Sequence, residues 1–335
     1  GNVIRRTASR DLMLSSRFSL HHVPLFAAKY AWLHLRRRPV LVHFEVTMRC
    51  NARCDFCDYW KTPTSAKADE LRSFAEAARF FDPLMVCFTG GEPLLRRDLE
   101  ELVAAVSGAV RLKYITLITH GAMLTIERAR SLWDAGINQF SISLDFLDER
   151  HDRARGIPGL AARILETVPR LCAGGIDNVR FNTVIKDENL DHVMDIVRAA
   201  QDLGIGVGFS TYTSMKNGNA AHYPRAERLA LVDDVVRDLL AFKRRHRGVI
   251  TSSDWYLRQI PKYFRGELRD PCASGLRTIH IDPAGFVRRC PDFPADMHWR
   301  EFRPYSRIDC NACFYACRGE AQAPLTLSRV RDVVA

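Results

Sequence analysis

The chain has 335 residues, 47% of them hydrophobic, and a formal charge of +10, so it can bury a sizeable core as one large domain or one domain with an appendage. Of its ten cysteines, eight fall in two closely spaced groups, which argues against a disulfide framework and for metal binding in a reducing cytoplasm. No apolar run reaches the roughly 18 residues of a spanning helix, and residues 23–35, broken by Pro24, Lys29 and His34 and followed by arginines, read as too polar for a secretory leader.

Residues 1–40 carry Arg5, Arg6, Arg10, Arg17, Lys29, Arg36, Arg37 and Arg38 against Asp11 alone, a net +7. Interleaved with them are Leu25, Phe26, Tyr30, Trp32, Leu33 and Leu35. This basic amphipathic extension reads either as a helix packed on the main domain with solvated arginines, or as a peripheral contact with a polyanion such as the anionic inner face of a membrane. From 41 to 215 short β-type runs alternate with helical periodicity, the pattern of repeated βα units around a parallel sheet. Six strands are predicted, at Val42–Met48, Leu84–Thr89, Tyr114–Thr119, Gln139–Leu144, Val179–Ile185 and Gly206–Tyr212. Leu99, Leu102, Val103 and Val106 have the i, i+3, i+4, i+7 spacing of an outer helix. In the fourth strand Phe140, Ile142 and Leu144 alternate with Ser141, Ser143 and Asp145, so one face is apolar and the other polar. Residues 216–269 read as a helical linker, with a helix at 225–246 whose terminal Lys243, Arg244, Arg245 and His246 suit a helix C-terminus. From 270 to 335 the chain is rich in Cys, Pro and Gly with short β pieces such as Thr278–Ile281, as in a small domain organised by metal.

Cys50, Cys54 and Cys57 follow the first strand in the segment CNARCDFC. Three thiolates without a nearby fourth leave one iron of a four-iron cube open, whereas structural zinc wants a closed tetrahedral shell. Thr89-Gly90-Gly91-Glu92-Pro93 ends the second strand; its glycines allow close backbone approach, and a carboxylate pairs well with an ammonium.

The C-x3-C-x2-C loop with Phe56 before its last cysteine, followed by the Gly-Gly-Glu turn, resembles the signature of the radical S-adenosylmethionine superfamily. The resemblance implies an α/β fold, a partial (β/α)6 TIM-like barrel, with a small C-terminal cysteine-rich iron-sulfur domain. It also implies a 4Fe-4S cluster on Cys50, Cys54 and Cys57 that binds S-adenosylmethionine, with Phe56, Gly90, Gly91 and Glu92 around the cofactor. Ser141 to Asp145, His151-Asp152 and Arg155-Gly156 resemble the fourth-strand region of the family; Ser143 and Arg155 would hold the cofactor carboxylate, and Asp145 or Asn182 would contact ribose or substrate. His120 stands where relatives often have Asn, either as a plain polar replacement or as a proton carrier. Tyr212, at the end of the sixth strand, is a candidate for touching substrate or for core packing.

Cys272 and Cys290 frame Gly285 as C-x12-G-x4-C, and Cys310, Cys313 and Cys317 follow as C-x2-C-x3-C. This resembles the auxiliary-cluster domains called SPASM and, when shortened, twitch. Five cysteines suffice for one auxiliary 4Fe-4S cluster, on Cys272, Cys290, Cys310 and Cys313, with Cys317 as a replacement ligand or neighbouring thiol; a zinc ribbon is the competing reading. Cys87 and Cys172 read as small buried hydrophobes.

The implied reaction is reductive cleavage of S-adenosylmethionine, fed by a flavodoxin- or ferredoxin-type donor. The resulting 5'-deoxyadenosyl radical attacks an unactivated carbon of a small-molecule or lipid substrate. A peptide-modifying maturase ranks lower, because only about 40 residues precede the first strand. A non-enzymatic iron-sulfur or nucleic-acid-binding protein would leave the Gly-Gly-Glu turn unexplained, and no specific nucleic acid is expected as a partner. The location expected is cytoplasmic, with a peripheral membrane contact through residues 1–40 as a further option.

Overall fold

A computed structural model describes residues 22–61 and 70–324. Arg5, Arg6, Arg10, Asp11 and Arg17 of the basic extension lie outside the described residues. In chain order the strands are β1 (Leu41–Thr47), β2 (Met85–Gly90), β3 (Tyr114–Thr119), β4 (Gln139–Ser143), β5 (Val179–Ile185), β6 (Gly206–Thr211), β7 (Thr278–Ile281), β8 (Phe286–Arg288) and β9 (Met297–His298). Helix α1 (Val23–Leu35) precedes them, and α2 (Glu70–Phe81), α3 (Leu99–Ala109), α4 (Ile126–Ala135), α5 (Glu149–Arg155), α6 (Leu160–Ala173) and α7 (Val193–Asp202) lie between the first six. α8 (Leu229–Arg245) and α9 (Asp254–Phe264) follow β6, and α10 (Ala316–Gln322) comes last.

β1 to β6 pair in sequence order and all in parallel, which with the intervening helices makes the partial barrel. Its outer face is built by strand alternation. Val42, Phe44 and Val46 join the apolar core under the helices, so His43, Glu45 and Thr47 point the other way, to the interior. Phe44 packs edge-on against Phe74 of α2, 5.2 Å between centroids; truncating so buried a ring costs about 3–5 kcal/mol. Leu99, Leu102, Val103 and Val106 are all fully buried, as their helical spacing requires.

The sheet does not stop at residue 215. β7 adds to the free side of β1 in parallel register, Leu41 opposite Thr278 and His43 opposite His280, and β8 and β9 continue it antiparallel. The cysteine-rich end therefore shares the barrel's sheet. Gly285, at φ +85°, makes the β7–β8 turn, where its N–H bonds to Asp282 O at 2.9 Å. α10 packs against both β7 and the edge strand β6, and its first amide, Ala316 N, donates to Ser210 Oγ of β6 at 3.3 Å.

α1 is anchored by Leu33, buried against Val40 and Leu84, and by Lys29 Nζ, 2.8 Å from Asp82 Oδ1. Leu25, Trp32 and Leu35 remain exposed. Among the described residues no helix is long and apolar enough to cross a membrane.

Candidate active site

The C-terminal ends of β1 to β4 meet at one cavity. Its walls include Cys50, Cys54, Phe56 and Cys57 from the loop after β1, Gly90, Gly91 and Glu92 after β2, Thr119 and His120 after β3, Ser143 of β4 and Arg155 of α5. Strand ends of a parallel barrel are where the backbone leaves the ladder, so side chains there can face a ligand.

The cysteine loop is fixed from two sides. On one, Arg53 N donates to Arg155 O (2.8 Å) and Asp55 N to Ala154 O (3.3 Å). On the other, Gly91 N donates to Thr47 O (2.7 Å) and Glu92 N to Arg49 O (2.8 Å). The second contact requires glycine: a Cβ at Gly90 or Gly91 would collide with the carbonyl oxygen of Thr47 or Arg49. Burial pushes all three thiols up, Cys50 to about 12, while Arg155 pulls Cys54 back. Thiols so placed ionise only with a strong cation beside them.

Glu92 is buried and holds four donors. Oε1 accepts from Thr119 Oγ1 (2.6 Å) and Leu94 N (3.1 Å); Oε2 accepts from His120 N (2.9 Å) and faces His120 Nε2 (3.2 Å). His120 Nδ1 accepts from Ala122 N at 3.1 Å, which puts the ring proton on Nε2, shared between Glu92 and Asn51 Oδ1 at 2.9 Å. Burial lowers the His120 pKa even though Glu92 pulls the other way. His120 is thus a neutral strut between the Gly-Gly-Glu turn and the cysteine loop. Neither Asn51 nor Thr119 is an expected site residue from sequence; the runs Cys50-Asn51 and Thr119-His120 are the available signal.

Arg155 is buried, with Nη2 2.8 Å from Asp145 Oδ2, Nη1 4.0 Å from Cys54 Sγ, and the guanidinium 5.3 Å from the Phe56 ring. Its Nε is buried with no hydrogen-bond partner. Burial opposes the Asp145 charge, but Arg155 and then Lys186 keep its carboxyl below the usual range, and Val184 N donates to Oδ1 at 2.9 Å. Asp145 thereby stands behind Arg155, outside the cavity wall. Asn182 is the register partner of Ser143 on β5, half-buried, and does not line the cavity. Tyr212 is buried below it, its hydroxyl donating to Asn219 O and its ring edge-on to His222 and Tyr223.

A second group of cysteines comes from the C-terminal part of the chain. Cys272, Cys290 and Cys313 are buried, and Cys310 and Cys317 half-buried. Cys272 pairs reciprocally with Ile308 (2.8 and 3.2 Å), two residues before Cys310. Cys290 is pushed up to about 11, by burial first, and lies within electrostatic reach of Cys272 and Cys313. Asp292 beside them has both carboxylate oxygens buried, with Lys216 Nζ 3.3 Å from Oδ1.

A family model described as the radical SAM superfamily matches residues 44–200, and a GTP 3',8-cyclase of Staphylococcus carnosus (strain TM300) is 30% identical over 249 residues, covering 68% of both chains. The chain belongs to the radical SAM superfamily. It is therefore an enzyme that uses a 4Fe-4S cluster and S-adenosylmethionine, against the non-enzymatic reading. A GTP 3',8-cyclase of Listeria monocytogenes serotype 4b is 32% identical over 178 residues, 51% of this chain, and the match spans about half of that relative's length, 53%. The radical SAM fold extends to solved structures. Streptococcus suis SuiB bound to S-adenosylmethionine superposes with a TM-score of 0.62 at 16% identity, covering 80% of this chain and 66% of SuiB. The enzyme anSMEcpe with bound AdoMet and peptide gives 0.57 at 17%, covering 76% and 74%. The radical SAM cofactor pair fits the cavity. Three converging thiols suit three irons, a glycine-lined wall leaves room for a close ligand, and the orphaned Arg155 Nε awaits an acceptor.

Proposed function

We propose that this enzyme abstracts hydrogen from an unactivated carbon of a polar small molecule held inside the barrel, between the Cys50 loop and one auxiliary 4Fe-4S cluster on Cys272, Cys290, Cys310 and Cys313. The observation that carries this reading is the interior face of β4 and β5. Ser141, Ser143, Arg180 and Asn182 alternate with Phe140, Ile142, Val179 and Phe181, which belong to the apolar core. Arg180 donates Nε to Ser141 Oγ at 3.2 Å, and the described ion pairs give it no carboxylate. An isoprenoid would strand these polar groups, at about 1–3 kcal/mol each, whereas a substrate with anionic or carbonyl oxygens would satisfy them.

When bound, the cluster supplies the electron that cleaves S-adenosylmethionine to a 5'-deoxyadenosyl radical. The chain's own residues bind and orient. Glu92 takes the cofactor's ammonium, Ser143 and Arg155 its carboxylate, and Asp145 holds Arg155 in place by charge. Phe56 and Trp60 give the cavity an aromatic wall. A flavodoxin- or ferredoxin-type donor feeds the site in the cytoplasm. The exposed Leu25, Trp32 and Leu35 beside Arg36 to Arg38 would support at most a weak peripheral membrane contact.

The test is anaerobic. Reconstituted protein with dithionite and S-adenosylmethionine is expected to form 5'-deoxyadenosine, and Cys54→Ala to form none. Polar metabolite extract should raise that rate above the uncoupled background while membrane-lipid extract does not; the reverse would favour a lipid substrate. GTP, the substrate in the curated relatives' name, is the first single compound to supply.

A further inference from the structure

The interior of the barrel holds a second set of soft donors that neither cluster site absorbs. β1 and β7 run in parallel with His43 directly opposite His280, and β1 and β2 place Cys87 opposite His43. One layer across three strands thus carries cysteine, histidine and histidine. The two imidazoles stack with centroids 4.3 Å apart and planes within 3°. Both Nε2 atoms are buried and have no hydrogen-bond partner. The thiol of Cys317, brought in by α10, lies beside the two rings, with its Sγ and one nitrogen of each ring all within 4.8 Å of one another.

The surroundings of His280 select its tautomer. Glu45 is buried, accepts from Tyr59 Oη and lies beside the Arg288 guanidinium, so it meets His280 as an acceptor. Its Oε1 takes Nδ1–H of His280 at 3.2 Å, and its own position is fixed by Tyr59 Oη at 2.9 Å and Arg288 Nη2 at 3.5 Å. The neutral ring then carries its lone pair at Nε2, in the ring plane, so the two stacked rings turn off parallel to share one ion. A carboxylate that takes the far N–H of a histidine is the usual support behind a metal-bound imidazole. As mere core packing, the arrangement would leave two orphaned ring nitrogens, each costing about 1–3 kcal/mol.

We propose that His43, His280 and Cys317 bind one thiophilic divalent ion, of the zinc type, separate from both iron-sulfur clusters. Bond lengths of roughly 2.0–2.1 Å to nitrogen and 2.3 Å to sulfur put the donors of one tetrahedral ion roughly 3.3–3.6 Å apart, a contraction of about 1 Å that rotamer adjustment supplies. Cys317 lies within electrostatic reach of Cys290 as well as of Cys87, and Cys87, opposite His43 on β2, is the residue assigned to complete a Cys2His2 set. Binding expels the thiol protons of Cys317 and Cys87 and leaves both imidazoles neutral. The ion would tie α10 to the β1–β7 seam, and Cys317 would then leave the auxiliary cluster to the other four C-terminal cysteines.

Metal and iron are measured together on anaerobically reconstituted full-length protein, supplied with Zn2+ or Co2+. One ion per chain beyond the cluster iron is expected, and the cobalt form should show thiolate-to-cobalt charge transfer and tetrahedral ligand-field bands. Cys317→Ser should lose the ion and the charge-transfer band with iron content unchanged. His280→Asn keeps a donor for Glu45 and removes Nε2, so it should lose the ion while staying folded; His43→Gln repeats the test at the other ring. Wild-type protein that takes up neither ion overturns the proposal, as does a loss of about four irons in Cys317→Ser, which would make Cys317 an auxiliary-cluster ligand.

Discussion

The Cys50 loop and the C-terminal cysteines show two ways of building a metal-binding site from one chain. At the first, the chemical groups sit in short contiguous runs, and each run ends a strand of the same parallel sheet. A barrel brings strand ends together whatever the details of its packing, so Cys50, Glu92, Ser143 and Arg155 converge by topology alone. At the second, Cys272, Cys290, Cys310 and Cys313 lie in the connections before β7, after β8 and before α10, with Cys317 on α10 itself, and what places them is a strand register and a helix docking. His280 and Glu45 are 235 residues apart yet hydrogen-bonded. A site of the first kind is legible in sequence; a site of the second kind depends on pairings that no local pattern encodes.

The strands bear this out. All six barrel strands fall within one or two residues of their predicted spans, because alternation and β-branched content are local properties. Thr278–Ile281 was equally visible as a β piece, but its partner was not. Nothing in four residues says that they will lie against residues 41–44. The same limit applies to polar side chains. Asp145 was recognisable as inward-facing, but only the structure shows that its carboxylate is occupied by Arg155 and Val184 N.

The largest expected effect is at that ion pair. Asp145→Asn leaves the Arg155 guanidinium buried without its counter-charge, and breaking such a pair costs about 3–5 kcal/mol. Because the folded-state pKa of Asp145 is lowered, the stability it contributes is present above the unfolded value of 3.8 and is lost as pH falls through the lower folded value. Wild-type protein should therefore lose stability at acid pH by an increment that Asp145→Asn lacks. Chemical denaturation of both proteins from pH 7 down to about pH 2 checks this, and coincident curves would show that the pair contributes nothing.

A smaller effect separates the two sites. Gly285 has a positive φ, and a Cβ there would lie 2.7 Å from the His298 ring. Gly285→Ala should cost about 1–3 kcal/mol, confined to the β7–β8 hairpin, whose second strand leads into Cys290. The expected readout is protein that binds about four irons after reconstitution instead of eight and still cleaves S-adenosylmethionine. Loss of both clusters together would mean that the two ends of the sheet fold as one cooperative unit.

The smallest effect is at His120, which touches both the cysteine loop and the Gly-Gly-Glu turn. Its Nδ1 accepts from a backbone N–H and its Nε2–H is shared by Asn51 and Glu92, so every ring position already has a structural task. Asn at this position keeps one donor and one acceptor. Losing part of one neutral hydrogen bond is worth about 0.5–1.5 kcal/mol, so 5'-deoxyadenosine formation by His120→Asn should fall by no more than about tenfold. Since burial lowers the imidazole pKa below 6.5, the ring is neutral through pH 7 to 8 and the rate should show no step there from its titration. Stability has the opposite exposure. The unfolded imidazole takes up a proton as pH drops below 6.5 and the folded one resists, so the wild type loses stability in that window and His120→Asn does not. A rate profile with a step near neutrality that vanishes in His120→Asn would instead make this histidine a proton carrier, and would move it from the scaffold of the site into its chemistry.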